Sequence, residues 1–369
     1  MAKKAASSKL TVGSTEKMQK QELDGETKKI ITDAVSNFKS KKVRKEFQYW
    51  IRLITLQTKS NELVRNIIQW LSSSDVIKCM EGYNEETAKE LMFQAGYIAY
   101  FTKNKDEVDK FINLCMKEKT KNYLESINKD AIPSTVERIR NDFLLSNDRI
   151  MNDLINIYSH LRKEYDIEFI YRYPIEILKD MHEIKRNSKP IAVCMYGKYD
   201  PNNSLSREHS FLMLLSKAYN VIVVEADTDT KLGIQLDKIY KKFGKIQLLA
   251  IVGHGNTKEI KLSKGKGEEH YLDVTDKKEI EIIDKVLDKN GDIVFSGSTA
   301  ISEKDKTSLG KLLSRTIHCT VHAPDIPSYI SSVTIEQQQG KPVIKKVDYF
   351  VSVKRARELV YKGEKVQTL

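Results

Sequence analysis

His254 sits between two glycines, directly after the apolar run Ile246-Gln247-Leu248-Leu249-Ala250-Ile251-Val252. An imidazole in that place is suited to general base work near neutral pH. Gly255 carries no side chain over its backbone N–H, which suits a donor to a developing oxyanion. Position 297 lies 43 residues further on (297 − 254), inside the run Ser296-Gly297-Ser298-Thr299-Ala300. That run follows a second apolar segment, Asp292-Ile293-Val294-Phe295. Tiny and hydroxyl-bearing residues there permit a sharp strand-to-helix turn of the kind that presents a nucleophile. Both segments also have a plainer reading. Gly-His-Gly makes a tight turn, and a serine/threonine run caps a following helix.

Elements that could position these residues are legible from residue 189 onward, where short apolar runs alternate with helical patterns. The pattern predicts strands over 190–196, 221–226, 246–252, 292–295 and 317–321. It predicts helices over 207–219, 231–243, 276–288 and 306–314, and a hairpin of 329–336 and 343–351 around Gly340-Lys341-Pro342. This alternation implies an α/β domain, a mostly parallel sheet with helices on both faces. In such sheets chemistry collects at the carboxyl ends of the strands, where both segments stop.

An all-α domain precedes it. Residues 1–25 are polar and lysine-rich and read as a disordered tail; residues 26–187 have helical periodicity. Phe47, Trp50, Ile51 and Ile54 step at three and four, and one long helix is expected from Pro133 through Leu161. A bundle or a degenerate helical-repeat array fits. Residues 83–117 have the size of one tetratricopeptide-like helical pair, but no second copy recurs at a fixed period.

The 62 basic and 51 acidic residues give a net charge of +11, spread along mixed-sign helical faces. That pattern describes a solvated surface, and no aromatic-interleaved basic cluster offers a nucleic-acid platform. Cys79, Cys115, Cys194 and Cys319 are scattered in apolar contexts, with no C-x-x-C. Without a signal sequence or a membrane-length apolar run, the expected setting is cytoplasmic and reducing. No metal-ligand spacing and no P-loop or Gly-x-Gly-x-x-Gly turn is present, so no cofactor is expected.

Taken together, the two strand ends resemble the caspase-like cysteine peptidase superfamily, closest in motif to the CHAT-type peptidases. The resemblance rests on Val252-Gly253-His254-Gly255 and on Ile293-Val294-Phe295-Ser296 followed by Ser298-Thr299-Ala300, and covers about residues 189–352. The histidine precedes the cysteine by about 50 residues in caspases, comparable with the spacing here. The resemblance implies His254 as general base, Gly255 N–H as part of the oxyanion hole and Gly297 at the nucleophile's position. It further implies a substrate pocket drawn from Ser296, Ser298, Tyr196, Asp200, His322 and Asp325.

This chain departs from that family at the nucleophile, since a glycine has no thiolate. The expectation is a peptidase domain that binds a protein or peptide without cutting it, either through replacement of a cysteine or as a natural pseudopeptidase. An adaptor whose helical half recruits a regulatory protein is the alternative. A serine hydrolase using Ser298, His322 and Asp305 or Asp325 lacks the Gly-x-Ser-x-Gly turn it needs. Asp200-Pro201-Asn202-Asn203 reads as well as a turn as it does as a pocket wall.

Overall fold

Short polar residues start the N-terminal helices. In the computed structural model, which describes residues 23–58, 60–184, 189–200, 204–205, 209–297, 307–351, 354–356, 358–362 and 365–368, these are α1 (Gly25–Ser36), α2 (Lys41–Gln57), α3 (Asn61–Leu71), α4 (Ser74–Glu81), α5 (Glu85–Thr102) and α6 (Lys105–Met116). Asp24, Ser40, Ser60, Ser73, Asn84 and Asn104 precede them in that order, and each side chain accepts a backbone N–H of the following first turn. The expected tail, 1–25, lies outside the described residues up to residue 22.

Trp50 of α2 is buried, with Phe93 of α5 at a ring distance of 5.4 Å. A Cβ on Gly96 would fall 2.2 Å from the Trp50 ring, so glycine lets α2 and α5 approach this closely. After α7 (Glu118–Ser126), the single long helix expected from Pro133 is instead two, α8 (Ile132–Leu144) and α9 (Asp148–Tyr165). The break falls at Leu145–Asn147, where the Asn147 side chain accepts the Ile150 N–H at 3.0 Å and starts a new helix.

Among the described residues the chain divides into a helical unit, 23–159 with 168–171, and an α/β unit built from 160–167 and 172–368. The expected boundary at residue 187 is therefore too late. Helix α10 (Ile175–Glu183) belongs to the α/β unit, where the Met181 sulfur accepts the Val223 N–H at 3.3 Å.

The main sheet of that unit begins with β1 (Ile191–Gly197), α11 (His209–Leu215), β2 (Asn220–Ala226), α12 (Asp229–Phe243) and β3 (Ile246–Val252). A short antiparallel sheet of β4 (His254–Gly255), β5 (Glu259–Lys261) and β6 (Tyr271–Asp273) follows. The main sheet resumes with α13 (Lys277–Val286), β7 (Leu287–Ser296), α14 (Leu309–Ile317) and β8 (Thr320–Pro324). The hairpin β9 (Tyr329–Gln338) and β10 (Lys341–Val351) pairs with β11 (Lys354–Ala356), and β12 (Glu358–Lys362) and β13 (Lys365–Thr368) return to the main sheet.

The order is β13-β12-β8-β7-β3-β1-β2, with β2, β1, β3, β7 and β8 parallel. Antiparallel β12 and β13 close one edge. β1 and β3 are buried along their full length, which accounts for sequences that are apolar but for Gln247, whose amide donates to the Asn290 carbonyl at 2.8 Å. Strand β8 starts three residues later than the pattern suggested, because Ile317 ends α14 and His318, at φ +56°, caps it. Among the described residues, no helix is long and apolar enough to cross a membrane.

Candidate active site

The sheet order reverses between β1 and β3: from β1 the chain first adds β2 on one side, then returns to add β3 on the other. The loops leaving β1 and β3 therefore part at that point, which is where open α/β sheets place ligands. Register aligns the strand ends: Tyr196 pairs with Val252, and Val252 with Ser296. The Gly253 N–H donates to the Ser296 carbonyl at 3.1 Å and ties the turn after β3 to β7.

His254 stands just past the end of β3, with about a quarter (27%) of its side chain exposed. Its Nε2 lies 3.2 Å from Asp200 Oδ1, which reaches it from the loop after β1. The Asp200 side chain is wholly buried. Backbone N–H groups of Ser204 and Leu205 donate to its two oxygens at 2.9 and 3.1 Å. The Arg172 guanidinium stands 3.9 Å from Oδ2. Arg172, itself buried, donates to the carbonyls of Gly197 and Lys198 at 3.2 and 3.3 Å, and so fixes the end of β1. Burial pushes the Asp200 carboxyl up, but the His254 hydrogen bond, Arg172 and the two backbone donors outweigh it. The carboxyl is held below its ordinary value. On another side of the imidazole, the Tyr199 ring meets it edge-on at 5.8 Å, with Lys261 Nζ 4.6 Å from that tyrosine ring.

Ser204 Oγ is also near His254 Nε2, at 3.4 Å. In a relay the carboxylate and the nucleophile occupy opposite ring nitrogens. Here Asp200 and Ser204 share one nitrogen, so Ser204 belongs to the carboxylate's turn rather than to a relay. Nδ1 is left as the nitrogen that can take a proton.

Gly255 pairs with Ile260, and the bond from Asn256 N–H to the Glu259 carbonyl (2.9 Å) makes this a non-hydrogen-bonded position of the ladder. Its N–H is thereby turned away from β5. A Cβ at Gly255 would fall 2.2 Å from the Glu259 carbonyl, so the tight return to β5 requires glycine.

Gly297 follows β7 with φ +82°, and its N–H donates to the Ser328 carbonyl at 2.7 Å. A Cβ built there would lie 2.7 Å from the Gly253 carbonyl. Gly297 is the position expected from sequence for the nucleophile, and a cysteine could stand there only if this backbone shifted. The backbone is in the region that disfavours L side chains, against the histidine loop, and cysteine would be strained there. The described cysteines offer no substitute. Cys79, Cys115, Cys194 and Cys319 are all buried, and burial pushes the Cys79 and Cys319 thiols up to about 12.

The pocket residues expected from sequence separate. Asp200 comes to the histidine, as its hydrogen-bond partner rather than as a substrate contact. Tyr196 is fully buried against the Tyr173 ring at 5.1 Å, and Ser296 is fully buried in β7, so neither faces a ligand. His322 is also buried, because the later start of β8 puts it level with Val294, two residues short of the β7 end. It lies 3.8 Å from Asp292, towards the other end of the sheet. A cavity of about 650 Å³ opens at that end, lined in part by Asp292, His322, Lys341 and Ile344. Asp325 follows β8, half-buried at the carboxyl end. Ser298 lies outside the described residues. Arg172 and Tyr199 gave no signal in the sequence, since their roles depend on strands far apart in the chain. Elsewhere, Asp229, Asp276 and Glu279 bring carboxylates within 4.8 Å of one another, an arrangement common on surfaces that bind no cation.

Residues 203–328 match a family model described as a domain of unknown function, DUF4347. The match takes in His254, Gly255, Ser296 and Gly297, and starts just after Asp200. No curated protein and no solved structure matches the chain.

Proposed function

We propose that the α/β unit is a caspase-like acyl-transfer domain, which takes a peptide across the carboxyl ends of β1, β3 and β7. The observation that carries this reading is the His254–Asp200 pair held across the switch point of the sheet. It supplies a base beside a backbone N–H of Gly255 turned away from its ladder. In this reading Gly297 shapes the turn, and the nucleophile's part is assigned, from sequence adjacency alone, to Ser298, which lies outside the described residues. His254 Nδ1 accepts the nucleophile's proton as its oxygen or sulfur attacks the peptide carbonyl. The oxyanion is met by Gly255 N–H, and the imidazolium returns the proton to the leaving amine. A serine hydroxyl is far less ionised than a thiol near neutral pH, so the chain as it stands binds peptides and cleaves them slowly or not at all.

The test compares Ser298→Cys with Gly297→Cys, using an electrophilic peptide probe and a peptide library. Ser298→Cys is expected to be labelled and to cleave, and to lose both with His254→Ala. Gly297→Cys is expected to be destabilised and unreactive. A folded Ser298→Cys protein that reacts no faster than an ordinary exposed thiol, with or without His254, would falsify the proposal.

A further inference from the structure

We infer that Asp200 and Arg172 are positioning residues that fix the tautomer of His254, with the ring proton on Nε2 and the basic lone pair on Nδ1. This rests on His254 acting as the base proposed above. Asp200 is an acceptor when ionised, so the nitrogen 3.2 Å from Oδ1 must carry the hydrogen. Neutral imidazole holds one hydrogen and one lone pair, so the lone pair falls on Nδ1.

The carboxylate cannot turn to release the ring. Its Oδ2 is bound by the Leu205 N–H, its Oδ1 by the Ser204 N–H, and Arg172 stands beyond. Arg172 is held in turn by two carbonyls at the end of β1. Orientation thus passes from a strand end through a buried guanidinium and a buried carboxylate to a ring at the surface. Nothing in that chain touches substrate. Its effect is on which nitrogen of His254 is ready.

The first measurement needs no variant. In the full-length protein labelled with ¹⁵N-histidine, above the titration of the ring, His254 should show a protonated Nε2, an unprotonated Nδ1 and a slowly exchanging ring N–H proton; His254→Gln assigns it. Asp200→Ala should remove the slow N–H signal, and Arg172→Lys should speed its exchange, with the sheet amide spectrum unchanged. In the Ser298→Cys background, Asp200→Ala should slow probe labelling by up to about 10⁴-fold, the scale on which a tautomer-fixing carboxylate acts. Asp200→Glu, whose longer side chain cannot keep the turn donors and Nε2 together, should not restore it.

A proton on Nδ1 in the unmodified protein overturns the inference, as does a slow N–H that survives Asp200→Ala. If Ser298→Cys never reacts but the tautomer and its loss are as expected, the acyl-transfer reading fails and the positioning role stands.

Discussion

Two histidine–aspartate pairs occupy the same sheet, and they do opposite work. His254 and Asp200 lie past the carboxyl ends of the strands, 3.2 Å apart, with a buried carboxylate and a partly exposed ring. His322 and Asp292 lie 3.8 Å apart at the other end, and there both side chains are buried. Asp292 also accepts the Ile344 N–H at 2.8 Å, which joins the sheet to β10. One pair has a ring nitrogen left to use. The other is spent on packing. The cavity of about 650 Å³ is at the second pair, so cavity and partly exposed imidazole lie at different ends of the sheet.

The contrast is sharpest in kinetics. In the Ser298→Cys background, His254→Ala should lower the labelling rate by about 10²- to 10⁴-fold and cost only about 1 kcal/mol of stability, since Asp200 keeps Arg172 and two backbone donors. Asp292→Ala should do the reverse. It orphans the buried Ile344 N–H and removes the carboxylate beside His322, and should cost about 3 kcal/mol in denaturant unfolding while labelling in the surviving folded fraction is unchanged. A stability loss at His254 equal to that at Asp292 would erase the distinction.

Next come the glycines. Gly297 and Gly340 both have positive φ, but only Gly297 has a carbonyl 2.7 Å from where a Cβ would sit. Alanine should cost about 1 kcal/mol at Gly340 and about 2–3 kcal/mol at Gly297, read from unfolding midpoints. The smallest effect is in acid. The Asp200 carboxyl is held below its ordinary value of 3.8 in the folded protein. Its stabilisation is complete above the unfolded value and is lost as pH falls through the lower folded one. Asp200→Asn should therefore flatten the acid limb of stability below about pH 4.

How much of this was legible depended on what fixed each element. The limits of β3 could be read directly from sequence because the strand is buried throughout, so burial alone dictates an apolar run. Strands β4 to β6 left no such trace: they are two or three residues long, and buried side chains such as Ile260 and Leu272 stand singly among polar neighbours. Ile317 looked like the start of a strand but ends a helix, and that shift of three residues took His322 away from the site. Asp200 was read both as a turn and as a pocket wall; its carboxylate accepts the Ser204 and Leu205 N–H groups. Its bond to a ring 54 residues away has no local signature. At Gly297 the sequence shows a missing side chain but not the φ of +82° that would strain one.

Arg172, Asp200 and His254 also appear in that order as the chain is made. β1 lies between β2 and β3, so it must wait for a strand that emerges some fifty residues later before its second edge is covered. Until then the arginine and the aspartate can meet, but the histidine they hold has not left the ribosome. The site is therefore closed by its last-made member.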